Sequence, residues 1–376
     1  MNKELYDVSY LSIDSIQEGV GSSQILPLLL GFAKKGMRVS LISFEKSVPN
    51  ADLLRRISSE KIDWSPQAFV RNGPWGGLQR FNSIRKTIPM ASIIHGRSDI
   101  PTAAAVSSSL DRPILWDVRS LWADQRNLIG TPGWNTVTTR AARQLENISA
   151  KGATAMTTLT KAVIPILENR HTHLPEIRAV VPTCVDTSRF IPSPMPAGQI
   201  TCLLSGTFNN FYDLKRTKEI LDRIRASVDL RIIWARGEES STVRLDVGEE
   251  IIVSAKYAEM PELVAQSHFG IAICKAEHGH SLAAAVPTKI GEFLASGRPV
   301  IVSQGIGDLD ELLSDKRAGL VIGPHDSLGN ISSQLMGILS DLRTPDLCRI
   351  LALEKFNMGT AIDTYASIYS RMLKSF

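Results

Sequence analysis

The densest run of chemically useful residues is PTKIGEFLASGRPVI, residues 287–301. Pro287 restricts entry into a helix, and Gly297 fits the left-handed position that ends one. The run therefore reads as a loop, a short helix and a buried strand. Ile290, Phe293 and Leu294 form one apolar face, while Lys289 and Glu292, three apart, share another. The helix start offers backbone N–H groups and the positive end of the dipole, which together suit a phosphate. Glu292, one turn on, can accept hydrogen bonds from a ribose diol. The same two side chains also read as an ordinary surface ion pair worth less than ~1 kcal/mol.

Other candidates are weaker. GVGSSQ at 19–24 has the first two glycines of a dinucleotide-binding turn, but Gln24 stands where the third belongs; Glu45 lies near the offset of that motif's acid. An oxidoreductase follows from this only as a minor reading. The pairs His171/His173 and His278/His280 have a metal-like look, yet lack acids at helical spacing, so loop or surface histidines are the plainer reading. Asp14, Asp117 and Asp124 are candidate acid/base groups; Asp117 precedes Arg119 and can simply orient it. Trp75, Trp116, Trp122 and Trp134 fall in the first half among Arg71, Arg80, Arg85, Lys86, Arg126, Arg140 and Arg143. That mixture suits an anionic, partly apolar acceptor or a membrane surface, and equally suits core aromatics with solvated charges.

These residues need elements to position them, and the pattern supplies them. Strands at 8–13, 38–44, 92–95, 113–118 and 155–159 alternate with helices at 23–35, 101–109 and 136–150. After IPSPMPAGQ (191–199), too rich in proline for helix or central strand, the beat restarts. Strands follow at 201–205, 230–235, 250–254, 270–274 and 299–303, with helices at 214–226, 260–267 and 288–296. A last helix at 361–376 carries Ile362, Tyr365, Ile368, Tyr369 and Met372 at 3–4 spacing. Strand–helix alternation with short loops means parallel sheets covered on both faces. In doubly wound sheets, ligands bind at the carboxyl ends of the strands.

The chain has 376 residues, 43% of them hydrophobic, enough for two domains with real cores. Its net charge of +4 argues against a protein that wraps nucleic acid. Residues 1–190 nevertheless hold 23 Lys+Arg against 16 Asp+Glu, and residues 191–376 hold 19 against 22. Cys184, Cys202, Cys274 and Cys348 form no CxxC pair, which disfavours a disulfide framework or a Cys-based zinc site. There is no signal-peptide pattern and no apolar run of ~18 residues. A cytoplasmic location is expected, with room for peripheral contact at the inner membrane surface.

Residues 287–301 resemble the donor-binding motif of glycosyltransferase family 4, a large GT-B family of retaining sugar transferases, in its PTKxxEYLAxGxPVI form with Phe293 for the Tyr. Gln304-Gly-Ile-Gly-Asp308 followed by Gly319 is similar to the family pattern as well. So are Gly19-Val-Gly-Ser-Ser23, Ile94-His-Gly-Arg-Ser98, Trp116-Asp-Val-Arg-Ser120, Val181-Pro-Thr-Cys-Val-Asp186 with Phe190, and Ala258-Glu-Met-Pro-Glu-Leu263. The resemblance spans about residues 8–325.

It implies an α/β GT-B fold: two Rossmann-like doubly wound domains facing a cleft, with the C-terminal helix returning to the first. The expected divisions are 1–190 for the acceptor domain, 191–199 for the hinge, 200–358 for the donor domain and 359–376 for the helix. The resemblance assigns the nucleotide ribose to Glu292. It assigns the diphosphate to Thr288 and Lys289 with the backbone amides there, places Pro287 among the donor-binding residues, and brings Gly21 and Ser22 of the first-domain loop against the sugar diphosphate. Arg119 stands where many relatives carry a His facing the donor sugar, and His95 lies in a family-like segment; both are expected to be catalytic. The sequence also departs from the pattern. Many relatives have two Glu separated by seven residues, and the earlier position here is Ala284, with Glu277 or His280 as substitutes. Relatives place an Arg after the glycine that follows the second domain's first strand and a Lys five further on. Here stand Gly206-Thr207 and Tyr212, leaving Lys215, Arg216 or Arg236 to supply the charge.

The implied activity is transfer of a sugar, with retention, from a nucleotide-diphosphate donor to a hydroxyl of a glycan, lipid-linked glycan or small molecule. No metal or other cofactor and no nucleic acid is expected. The competing readings are a GT-B-like scaffold that has lost turnover, motivated by Ala284 and Thr207, and a sugar-nucleotide epimerase.

Overall fold

The computed structural model describes residues 5–108, 110–128, 134–206, 209–236, 250–315 and 317–376. The chain divides into two compact units, Met1–Pro182 with Met358–Phe376, and Thr183–Asn357.

In the first unit seven parallel strands form one sheet: β1 (Tyr6–Leu11), β2 (Val39–Glu45), β3 (Ile62–Ala68), β4 (Ala91–Arg97), β5 (Ile114–Val118), β6 (Ala155–Thr158) and β7 (Ile177–Val180). Their order is 3-2-1-4-5-6-7, so the winding reverses between β1 and β4. β2 and β5 are buried at every position because helices cover both faces. β3 sits at the edge, where Pro66 costs no ladder hydrogen bond. Leu11, Ile42, Phe44, Ile94 and Ile114 share one core cluster with Ile84 and Ala104 from the covering helices.

The second unit has six parallel strands: β8 (Ile200–Ser205), β9 (Leu230–Arg236), β10 (Glu250–Ser254), β11 (Phe269–Ala272), β12 (Val300–Ser303) and β13 (Gly319–Ile322). Their order, 10-9-8-11-12-13, reverses between β8 and β11. Cys202, Leu204, Ile232, Phe269 and Ile301 pack there with Ile220 and Leu335 of two helices.

Two boundaries differ from the expected ones. Residues 183–199 fall inside the second unit, because two of its arginines hold that segment by its carbonyls. The fully buried Arg298 donates to Ser193 O at 2.9 Å, Ser193 Oγ at 2.7 Å and Pro194 O at 3.0 Å. Arg349 donates to Thr187 O at 3.0 Å and Phe190 O at 2.7 Å. The final helix begins earlier than expected, at Met358, and belongs to the first unit. Its Tyr365 and Tyr369 rings pack edge-on to Phe32. All four cysteines are buried, and none of them is in a disulfide. Among the described residues no helix is long and apolar enough to cross a membrane.

Candidate functional site

At the carboxyl ends of β1, β2, β4 and β5 the first unit gathers polar side chains. The loop after β1 is braced by Glu45, the last residue of β2. Its carboxylate accepts from Ser15 Oγ at 2.5 Å, Ile16 N at 3.0 Å, Gln17 Nε2 at 3.2 Å and Ser43 Oγ at 2.6 Å. An acid so occupied is not a ribose ligand, which removes the dinucleotide reading. The chain then winds through one π-helical turn, Gly21–Ile25, before the helix Leu26–Lys34. Gly21 is required there: a Cβ would stand 1.8 Å from Ser15 O and 2.5 Å from Ile16 Cα. Ser22 and Ser23 turn their hydroxyls back onto Gly19 O.

Gln24, on the same turn, joins this loop to two arginines. Its Oε1 accepts from Arg97 Nη2 at 2.9 Å and from Arg119 Nη2 at 3.1 Å. Arg97 Nε also donates to Asp14 Oδ2 at 3.2 Å. Behind the guanidiniums lies Asp117, entirely buried. Its Oδ1 accepts from Thr157 Oγ1 at 2.9 Å and Tyr365 OH at 3.2 Å, and stands 3.7 Å from Arg119 Nη1. Its Oδ2 is 3.9 Å from Arg97 Nη1. Burial alone would raise the Asp117 pKa, but Arg119, His95 and Arg97 hold it well below the usual carboxylate range. Asp117 is therefore an ionised counterion rather than an acid/base group.

His95 differs from expectation. β4 runs past it to Arg97, so the imidazole lies within the strand and has no exposed surface to touch a substrate. Its ring centroid is 4.4 Å from that of Tyr10 and 5.2 Å from that of Tyr365. Its Nδ1 is 2.7 Å from Tyr369 OH, and its Nε2 is 3.4 Å from Asp117 Oδ2. Burial pushes its pKa down more than Asp117 lifts it, leaving the ring neutral near pH 7. Asp124 is likewise occupied, gripped by Arg170 at 2.8 and 2.9 Å, while Arg143 and His171 bind Glu146. His278 Nε2 meets Asn210 O at 3.1 Å. Among the described residues no group of three or more His, Cys, Asp or Glu is placed to hold a metal ion.

In the second unit the run 287–301 forms the helix Thr288–Ala295 with Pro287 at its N-cap, followed by β12. Phe293 of the apolar face lies against Gly270 of β11, where a Cβ would meet the ring at 2.4 Å. Lys289 and Glu292 are both buried rather than displayed as a surface pair. The Lys289 ammonium stands 4.4 Å over the Tyr212 ring. Burial pushes Lys289 down to about 8, against the opposing pull of Cys274 and Glu292. Burial pushes Glu292 up to about 7, against Lys289 and Arg189. Thr288 and Pro287 are half-buried at the helix start, and Ala284 is buried close before it.

Of the other predicted donor contacts, Gly206 and Arg236 both meet Trp234. Gly206 closes β8 with φ +83°, and its carbonyl accepts from Trp234 Nε1 at 3.2 Å. Arg236 closes β9 with its guanidinium 3.6 Å from the Trp234 ring centroid. Lys215 is exposed on the helix Leu214–Arg225. Arg216 is held by Asp326 O at 2.7 Å and Glu219 Oε2 at 3.1 Å, which takes it out of the candidate set. Glu277 and His280 are exposed on the segment after β11. Thr207 lies outside the described residues.

Sequence reasoning missed Arg97 and Gln24 in the first unit, and Arg189 and Tyr257 in the second. Arg189 stacks 4.5 Å over the Tyr257 ring and donates to Tyr257 O at 3.2 Å. The buried Tyr257 hydroxyl has no hydrogen-bond partner, and its burial, with Glu292 adding to it, raises its pKa. The signal was there: Arg97 and Arg189 lie inside segments already singled out, and Tyr257 immediately precedes a third.

No family model matches the chain, and no curated protein matches it in sequence. Solved structures do match in fold. Sucrose-phosphate synthase from Thermosynechococcus elongatus superposes with TM-score 0.74 at 12% identity, over 99% of this chain and 100% of that one. WaaG, a glycosyltransferase involved in lipopolysaccharide biosynthesis, gives 0.70 at 14%, over 96% and 99%. Anabaena HepE, solved with UDP and glucose, gives 0.68 at 14%, over 97% and 99%. The chain has the GT-B fold, with two doubly wound, Rossmann-like α/β units.

Proposed function

We propose that the protein is a glycosyltransferase that moves a sugar, with retention, from a nucleotide-diphosphate donor to an acceptor hydroxyl. The observation that carries this reading is the buried Lys289 and Glu292 on one short helix of a GT-B unit. The ammonium matches a diphosphate in charge, and the carboxylate can accept hydrogen bonds from a ribose diol. Thr288 and the amides of the helix start add donors to the diphosphate, and Arg189 and Tyr257 complete the surroundings of Glu292. HepE binds UDP, which fits this use of the second unit.

In the first unit, Arg97 and Arg119 are the cations assigned to charge that develops on the departing diphosphate. Asp117 and Gln24 fix their direction, and His95 positions Asp117 without touching substrate. The acceptor hydroxyl attacks on the face that the diphosphate leaves, and a diphosphate oxygen takes the proton. This reading uses no metal ion. Ala284 favours a second reading, a GT-B protein that binds nucleotide without turnover, because no carboxylate stands at that position.

Calorimetry with uridine, guanosine and thymidine diphosphates tests the reading. Glu292→Ala is expected to weaken binding by about 1.5–3 kcal/mol, as for hydrogen bonds to a charged group. Failure of the folded wild type to bind any of the three would sink it. Binding without transfer or hydrolysis across a panel of sugar donors would establish the second reading.

A further inference from the structure

The first unit contains an apolar pocket of about 220 Å³ that the proposed reaction has not yet used. Its walls include Pro74 and Leu78 from the helix Gly73–Thr87, Ile100 from Asp99–Val106, Trp122 and Arg126 from Trp122–Leu128, and Ala141 from Trp134–Gly152. Its position follows from the topology. Ile100 comes three residues after Arg97, where β4 ends, and Trp122 three after Arg119, just past β5. The pocket therefore shares the carboxyl end of the sheet with the Arg97–Arg119 pair, where doubly wound sheets take their ligands.

Three features restrict what fits. The size is that of one aromatic ring with a little room, since a cavity of ~150 Å³ takes benzene. Among the described residues the lining is apolar apart from Thr138 and Arg126, so its one charged wall residue is a cation. Arg126 stands 5.2 Å over the Trp122 ring, and its Nε is buried with no hydrogen-bond partner. A cation set against an aromatic wall complements an anion attached to an apolar ring.

We propose that this pocket holds the ring-sized apolar part of the acceptor, and that Arg126 binds an anionic group next to it. The acceptor is then a compact amphiphilic anion, such as an aryl phosphate or carboxylate that also carries the hydroxyl to be glycosylated. Naming it an acceptor rests on the sugar-transfer reading; the binding site itself does not.

The probe is 1-naphthyl phosphate, titrated by calorimetry against inorganic phosphate and against neutral 1-naphthol. The naphthyl phosphate is expected to bind at least tenfold more tightly than either. Ala141→Trp fills the pocket from an exposed helix position, and Leu78→Asp places a carboxylate at a half-exposed wall position. Each is expected to weaken naphthyl phosphate at least tenfold while leaving nucleoside diphosphate binding unchanged. Arg126→Gln is expected to reduce naphthyl phosphate to the level of 1-naphthol. Wild-type affinity in the filled variant overturns the proposal. So does equal binding of inorganic phosphate, or capture by phosphatidylglycerol vesicles without binding of the probe. Nucleoside diphosphate binding and sugar transfer are read separately, so loss of either one overturns the transfer reading and leaves the naphthyl phosphate result standing.

Discussion

Lys289 and Glu292 are pushed by burial in opposite senses, Lys289 down to about 8 and Glu292 up to about 7. A ribose needs the carboxylate and a diphosphate needs the ammonium. Affinity for the nucleotide is therefore expected to rise with pH through about 7, as Glu292 ionises, and to fall above about 8, as Lys289 loses its proton. Titration calorimetry across pH 5–10 reads this as a bell with its maximum between the two values. Glu292→Gln should remove the Glu292 limb and leave only the diphosphate's own protonation near ~6. Lys289→Met should remove the alkaline limb. A flat profile between pH 6 and 9 would contradict the assignment. These two residues were legible in the sequence because a Pro, a three-residue spacing and a stop Gly mark the helix. Their burial was not, since it comes from how the helix packs on its sheet. His95 shows the opposite error: two more residues of strand convert a supposed strand-end group into a core residue, and Arg97 takes the strand's end.

At the scale of elements, alternation of strands and helices was readable for most of both sheets, but not at β7, not over residues 309–355, where β13 and three helices lie, and not over residues 51–87. β3 is an edge strand carrying Asp63, Ser65, Pro66 and Gln67, and the helix Gly73–Thr87 opens with GPWGG, so neither has the usual pattern. Tertiary packing decides both. The π-helical turn Gly21–Ile25 could not be read either, although its glycine could. Because a Cβ on Gly21 meets backbone atoms of Ser15 and Ile16, the turn cannot keep its place in Gly21→Ala. The expected cost is about 1–3 kcal/mol in denaturant unfolding, as for overpacking. Gln24 would move with the turn, so turnover should fall further than stability accounts for, through its loss from Arg97 and Arg119. Unchanged turnover in a folded Gly21→Ala would dissociate the loop from the arginines.

Across the whole molecule, the second unit is inserted into the first, which begins and ends the chain. This sharpens the charge asymmetry: the first unit carries 24 Lys+Arg against 16 Asp+Glu, and the second 18 against 22. The basic excess thus goes with the arginine pair and the Arg126 pocket, as an anionic acceptor requires. The topology also makes the last helix part of the first unit's core. Ile362, Tyr365, Ile368, Tyr369 and Met372 are all buried, and the two tyrosines bond Asp117 and His95 directly. At roughly 1.5–3 kcal/mol for each buried large side chain, their removal costs on the order of 10 kcal/mol, comparable with the ~5–15 kcal/mol that holds a domain folded. A chain ending at Asn357 is therefore expected to lose the first unit while keeping the second. Hydrogen exchange should show β1, β4 and β5 unprotected, β8, β11 and β12 still protected, and nucleoside diphosphate binding retained. Wild-type protection of β4 in the truncated chain would show that the tyrosines only decorate a core already complete.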